Sequence, residues 1–131
     1  MASRRGKPLT AAQLKDARAL GVREPERVRL LRVAEIVPFD HPVLDGLVWP
    51  LRRALVRSAG LTARYGILIR ADHWDDRRLL MHEMVHVAQY ERLGGIRPFL
   101  RAYLLECMVE GYPLGPLEQE AIAVTREFMV R

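Results

Sequence analysis

The stretch Arg78-Leu-Leu-Met-His82-Glu83-Met-Val-His86-Val-Ala-Gln89-Tyr-Glu91 decides how this chain is read. It is rich in helix formers and has neither Gly nor Pro, which predicts a helix over 77–92. His82 and His86 stand at i and i+4, so their side chains point the same way, one turn apart. Two imidazoles so placed can hold one zinc ion, and the Glu after the first His can reach a water on that metal. Leu79, Leu80, Met81, Met84, Val85, Val87 and Ala88 make the helix apolar nearly all round, so it is expected to be buried. A surface helix with two solvated histidines would not need that apolar surround. A buried imidazole or carboxylate needs a partner, and one metal ion serves His82 and His86 together.

A catalytic zinc takes three protein ligands and keeps a position for water. The other candidates are His41, His73, Cys107, Glu91, Glu106, Glu110, Glu118, Glu120 and Glu127. Ile96 to Met108 predicts a second helix whose apolar stripe is Ile96, Phe99, Leu100, Tyr103, Leu104, Cys107 and Met108. Cys107 falls mid-stripe and reads as a core cysteine. Glu106 lies at the stripe's edge. Glu110 returns toward the stripe just before Gly111 and is an alternative ligand. A last helix starts after Gly115-Pro116. At about 100° per residue its apolar face is Ala121, Ile122, Thr125, Phe128 and Met129, with Glu118 on that face and Glu120 and Glu127 opposite, toward water. The helix dipole favours any first-turn Glu, but it does not explain one turned inward. Glu118 is therefore the expected third ligand.

Upstream, residues 1–8 are expected to be a disordered basic terminus, and residues 9–131 a single domain. Thr10 is the expected cap of a first helix, with Gln13 completing a capping box, Leu9 and Leu14 forming a staple and Gly21 closing the helix. Residues 27–37 are β-branched and bounded by prolines, which predicts a strand. A short helix is expected near Pro50 to Ser58. A second strand is expected over Arg64 to Arg70, where Tyr65, Ile67 and Ile69 alternate. Asp72 to Asp76 reads as a turn, with Asp75 and Asp76 suited to the positive end of the metal-binding helix. The fold class that follows is α+β: a small sheet packed on helices, with the site between the 77–92 helix and the last one.

About half the residues are apolar, enough for a core in a chain of 131. One cysteine excludes an intramolecular disulfide and fits a reducing compartment. No apolar run has the length of a membrane span, and the start Met1-Ala-Ser-Arg-Arg-Gly-Lys-Pro8 lacks the apolar region of a secretory signal. A cytoplasmic protein with no membrane partner is expected. The net charge of +5 is concentrated in residues 1–32, which hold nine Arg/Lys against Asp16, Glu24 and Glu26. No aromatic residue is interleaved there to stack on bases, so a solvated basic surface is expected rather than a nucleic-acid site.

His82-Glu83-x-x-His86 with the later Glu118-x-x-Ala121 resembles the gluzincin-type zinc metallopeptidases. Residues 64–128, including Phe99-Leu-Arg-Ala-Tyr103 and Gly111-Tyr-Pro-Leu-Gly-Pro-Leu-Glu118-Gln-Glu-Ala121, also look like small bacterial zincin-like proteins. The resemblance implies a minimal zincin-like fold, Zn2+ on His82, His86 and Glu118, and a peptide or protein substrate. Such peptidases usually carry an Asp four residues after the third ligand, where it supports the histidines. Ile122 stands there instead, so support must come from elsewhere.

For catalysis, Glu83 is the expected proton acceptor. Tyr112, in the loop before Glu118, is the expected oxyanion stabiliser, ahead of Tyr103 and His73. Gln89, one turn beyond His86, is placed to orient a ligand. The strand at 64–70 could pair with an extended peptide if it forms the sheet edge. The alternative function is a non-catalytic zincin-like zinc-binding interaction module, for which the small size and Ile122 speak; an intact Glu83 speaks against it.

Overall fold

The structure is a computed structural model that describes residues 6–36, 58–111 and 114–130. Four strands and four α-helices are described. In chain order they are β1 (Lys7–Pro8), α1 (Ala11–Ala19), β2 (Arg29–Val33), β3 (Gly60–Ala63), β4 (Gly66–Arg70), α2 (Arg77–Leu93), α3 (Ile96–Glu110) and α4 (Pro116–Met129). The fold is α+β. Short 3-10 turns at Pro25–Arg27 and Ala71–His73 lead into β2 and α2. The helix expected near Pro50 to Ser58 lies outside the described residues, apart from Ser58 itself.

The sheet is mixed, in the order β1-β2-β4-β3. β2 and β4 run parallel in the centre, with Leu30 opposite Ile67 and Arg32 opposite Ile69. β3 and β4 form a hairpin closed by Arg64 and Tyr65, in register Ala63 to Gly66. The expected strand over Arg64 to Arg70 is thus cut short at its start. Arg64 adopts a left-handed backbone (φ 58°), which turns the chain and creates β3, a strand the sequence pattern did not reveal. The consequence for peptide pairing is a correction: β4 is interior, and among the described residues the edge on this side is β3. Lys7 and Pro8, expected outside the fold, pair antiparallel with Leu30 and Arg29. A proline is tolerated there because β1 is the opposite edge, and buried Leu9 follows it.

α1 starts with the expected capping box: Gln13 N donates to Thr10 Oγ1 at 3.2 Å, and Thr10 N donates to Gln13 Oε1 at 2.9 Å. α2 is capped by Asp76, whose carboxylate accepts from Leu79 N at 3.1 Å, and it ends at Gly94 in a left-handed conformation (φ 90°). Its burial matches its composition. Leu80, Met81, Met84, Val85 and Val87 join Ile67 and Ile69 of β4, Leu30 of β2 and Ala121 of α4 in one apolar cluster. Glu91 near its end clips the chain before β2. Its carboxylate accepts from Arg23 N (2.7 Å), Glu24 N (3.0 Å) and Tyr65 Oη (2.8 Å). Among the described residues no helix is long and apolar enough to cross a membrane.

α3 departs from expectation. Phe99 is buried, but Leu100, Leu104, Leu105, Met108 and Val109 are exposed. Only one edge of the expected stripe, through Phe99 and Tyr103, packs inward. Cys107 is half-buried rather than in the core.

Candidate metal centre

α2 and α4 pack side by side, and their facing polar residues meet in a largely apolar interior. His82 and His86 project from α2 toward Glu118 in the first turn of α4. His82 Nε2 lies 2.8 Å from Glu118 Oε2, and His86 Nε2 lies 3.0 Å from Glu118 Oε1. One donor atom from each of the three residues falls within 4.8 Å of the others. His86 and Glu118 are buried, and His82 is half-buried. The helix spacing and the inward face of Glu118 thus bring together the three residues expected as ligands.

Glu118 is positioned by a clip between α3 and α4. Gly115, at the helix cap, has no side chain to offer α4. Glu106 supplies the missing group from α3, its Oε1 accepting from Leu117 N at 2.7 Å. The approach is so close that a Cβ at Gly115 would lie 2.7 Å from Glu106 Cβ, which makes glycine necessary. Glu106, weighed as a ligand from sequence, is instead the cap that fixes Glu118.

His86 is supported from its own helix, α2. Gln89 is fully buried (0% exposed). Its Nε2 donates to Leu117 O (2.9 Å) and to Glu120 Oε1 (2.7 Å), so its Oε1 faces His86 Nδ1 at 2.8 Å. Glu120 also accepts from Arg92 at 2.8 Å. Glu120, expected to face water, is therefore part of a chain Arg92–Glu120–Gln89–His86. Its carboxylate curls back across the helix interface to reach the two donors of α2.

These contacts fix the chemistry of His86. Because Gln89 offers an oxygen, His86 Nδ1 must carry the hydrogen. A neutral His86 then presents a bare Nε2 lone pair to the Glu118 carboxylate at 3.0 Å. Two acceptors so close require a cation between them, either a proton or a metal ion. Without metal the proton takes that role. Burial alone would depress the His86 imidazolium, but the Glu118 hydrogen bond and the charges of Glu83 and Glu118 outweigh it and raise its pKa. Burial likewise pushes Glu118 up, yet the His82 and His86 hydrogen bonds and charges hold it well below the usual carboxylate range. Two imidazoles and one carboxylate also form the donor set that suits Zn2+. By donor chemistry and orientation the residues fit a zinc ion.

Two further groups meet the cluster. Tyr103 Oη donates to Glu118 Oε1 at 2.9 Å, and its ring stands edge-on to His86, centroids 5.6 Å apart. The stripe pattern alone puts Tyr103 in the core; its spacing of four from Phe99, whose ring also meets His86, is the sequence signal for its place at the cluster. Glu83 lies against β3. The Thr62 hydroxyl donates to Glu83 Oε1 at 2.8 Å, and a Cβ at Gly60 would come within 3.2 Å of Glu83 Oε2. Thr62 carried no sequence signal because β3 itself was missed. His73 sits at the start of α2 with Nδ1 3.4 Å from Asp76 Oδ2. Tyr112 and His41 lie outside the described residues.

Comparison of the chain with protein-family models, with curated proteins and with solved structures gave no match to any of the three.

Proposed function

We propose that this protein is a zinc-dependent hydrolase of peptide bonds, of the gluzincin-type zincin-like kind, acting in a reducing compartment such as the cytoplasm. The observation that carries this reading is the convergence of His82, His86 and Glu118 while Glu83, one residue from His82, stays outside the ligand set. A bound zinc ion supplies Lewis acidity and lowers the pKa of a water toward neutrality. His82, His86 and Glu118 would hold it. Gln89 keeps His86 in the tautomer that leaves Nε2 free for metal. Glu83 would accept the proton of the attacking water and pass it to the leaving amine. Tyr103, its hydroxyl already at the cluster, replaces Tyr112 as the preferred oxyanion stabiliser. Among the described residues β3 is the sheet edge beside Glu83, so an extended peptide could add there as a further strand.

A second reading, a zinc-binding interaction module without catalysis, draws on one observation. Glu83 is held by the Thr62 hydroxyl and pressed against Gly60, as a structural carboxylate would be. The two readings separate in a cleavage assay on a mixed peptide library, comparing wild type with Glu83→Gln and measuring metal in both. Zinc-dependent cleavage that falls by about a hundredfold or more in a fully metallated Glu83→Gln protein supports the hydrolase. Equal background from both supports the module.

A further inference from the structure

The outward side of α3 is an unusual surface for a solvated helix. Leu100, Leu104, Leu105, Met108 and Val109 lie on it, with Met108 64% and Val109 76% exposed. The charged residues among them are Arg97 and Arg101, both exposed. Neither carboxylate of α3 shares this side: Glu106 is turned inward onto Leu117 N, and Glu110 projects away from Met108 at about 100° per residue. The amphipathic periodicity that would ordinarily bury these residues is present, but only the Phe99–Tyr103 edge is used by the fold.

We propose that this face of α3 docks in the plane of an anionic lipid surface. The shape fits a flat partner: the apolar residues stand on the convex side of one helix rather than in a groove that would receive a peptide helix. The charges fit an anionic partner. Arg97 and Arg101 have stems long enough to lie along apolar surface while their guanidinium groups reach phosphate oxygens. Self-pairing through this face would bring arginines against apolar residues with no carboxylate to meet them. Docking of this kind requires no spanning helix. Because Tyr103 projects from the other side of α3 onto His86, docking would set the His82/His86/Glu118 cluster roughly one helix diameter, about 10 Å, from the lipid.

The test is co-sedimentation of the full chain with vesicles of phosphatidylcholine alone and with a quarter phosphatidylglycerol. Wild type should bind the mixed vesicles, not the neutral ones, and should be released by salt at about 0.5 M. Arg97→Gln/Arg101→Gln should weaken binding about 25-fold, at roughly fivefold per arginine. Leu105→Glu/Met108→Glu should abolish it, with circular dichroism and zinc content unchanged because both sites are exposed. Wild type remaining in the supernatant would overturn the proposal. So would binding that both variants retain, which would assign it to the basic residues before β2. A concentration-dependent dimer dissolved by Leu105→Glu/Met108→Glu would also overturn it and give the face to a second copy of the chain.

Discussion

Replacing Gln89 by Leu probes how the site is supported. The substitution keeps side-chain size in a fully buried position and deletes every hydrogen bond the amide makes. Glu120 keeps Arg92 as a partner. His86 Nδ1–H is left in the interior without its acceptor, whereas Leu117 O, inside the first turn of α4, keeps its helical partner Ala121 N. One stranded buried group at about 1–3 kcal/mol predicts a loss of about that size in metal-free stability. A separate effect falls on the metal. Losing the group that orients a histidine ligand costs about 10–100-fold in affinity. Urea unfolding of chelator-treated protein measures the first quantity, and competition against a chromophoric zinc chelator measures the second. Stability unchanged within 0.5 kcal/mol, or zinc affinity unchanged within about twofold, would refute the assignment of Gln89 as the group that orients His86.

Three more expectations follow from the geometry. Glu118→Gln should lower zinc affinity by about a hundredfold or more, since it removes a charged ligand that both histidines face, whereas Glu120→Gln, acting only through Gln89 and Arg92, should lower it by less than about tenfold; the same chelator competition ranks them. The metal-free cluster should be pH-sensitive with a defined sign. His86 titrates above its ordinary 6.5 when folded, so its contribution is complete below pH 6.5 and is lost as pH rises through the folded value. Glu118 titrates below its ordinary 4.5, so its contribution is present above pH 4.5 and is lost as pH falls through the folded value. Zinc must displace the His86 proton, so the rise in melting temperature on adding zinc should grow from pH 6 to pH 8, read by thermal scans with zinc and with chelator. Thr125→Val should be neutral or stabilise by up to about 1 kcal/mol in urea unfolding, because the Thr125 hydroxyl is buried with no hydrogen-bond partner among the described residues.

What was legible in the sequence is what local periodicity encodes. The i, i+4 histidines, the apolar surround of α2 and the inward angle of Glu118 on α4 each follow from counting residues along one helix. The Thr10–Gln13 box and the Asp76 cap are equally local. What was missed depends on one element meeting another. β3 was hidden because its start depends on a single left-handed residue, Arg64, that no pattern marks. The helix wheel of α4 points Glu120 toward water; Arg92 and Gln89 across the interface bring its carboxylate back. The α3 stripe was expected inside because amphipathicity says that a face is apolar and not what covers it. Gly115 before Pro116 does hold a clue to Glu106: a helix start with no capping side chain calls for an acceptor from elsewhere.

X-ray absorption at the zinc edge, on protein purified without chelator, reads out the zinc centre proposed on His82, His86 and Glu118. The expected result is about one zinc per chain, with two imidazole nitrogens at roughly 2.0–2.1 Å and a carboxylate oxygen at roughly 2.0–2.2 Å, and with tight binding abolished in His82→Ala/His86→Ala. Full zinc occupancy in that double variant, or a coordination shell without imidazole, would contradict it.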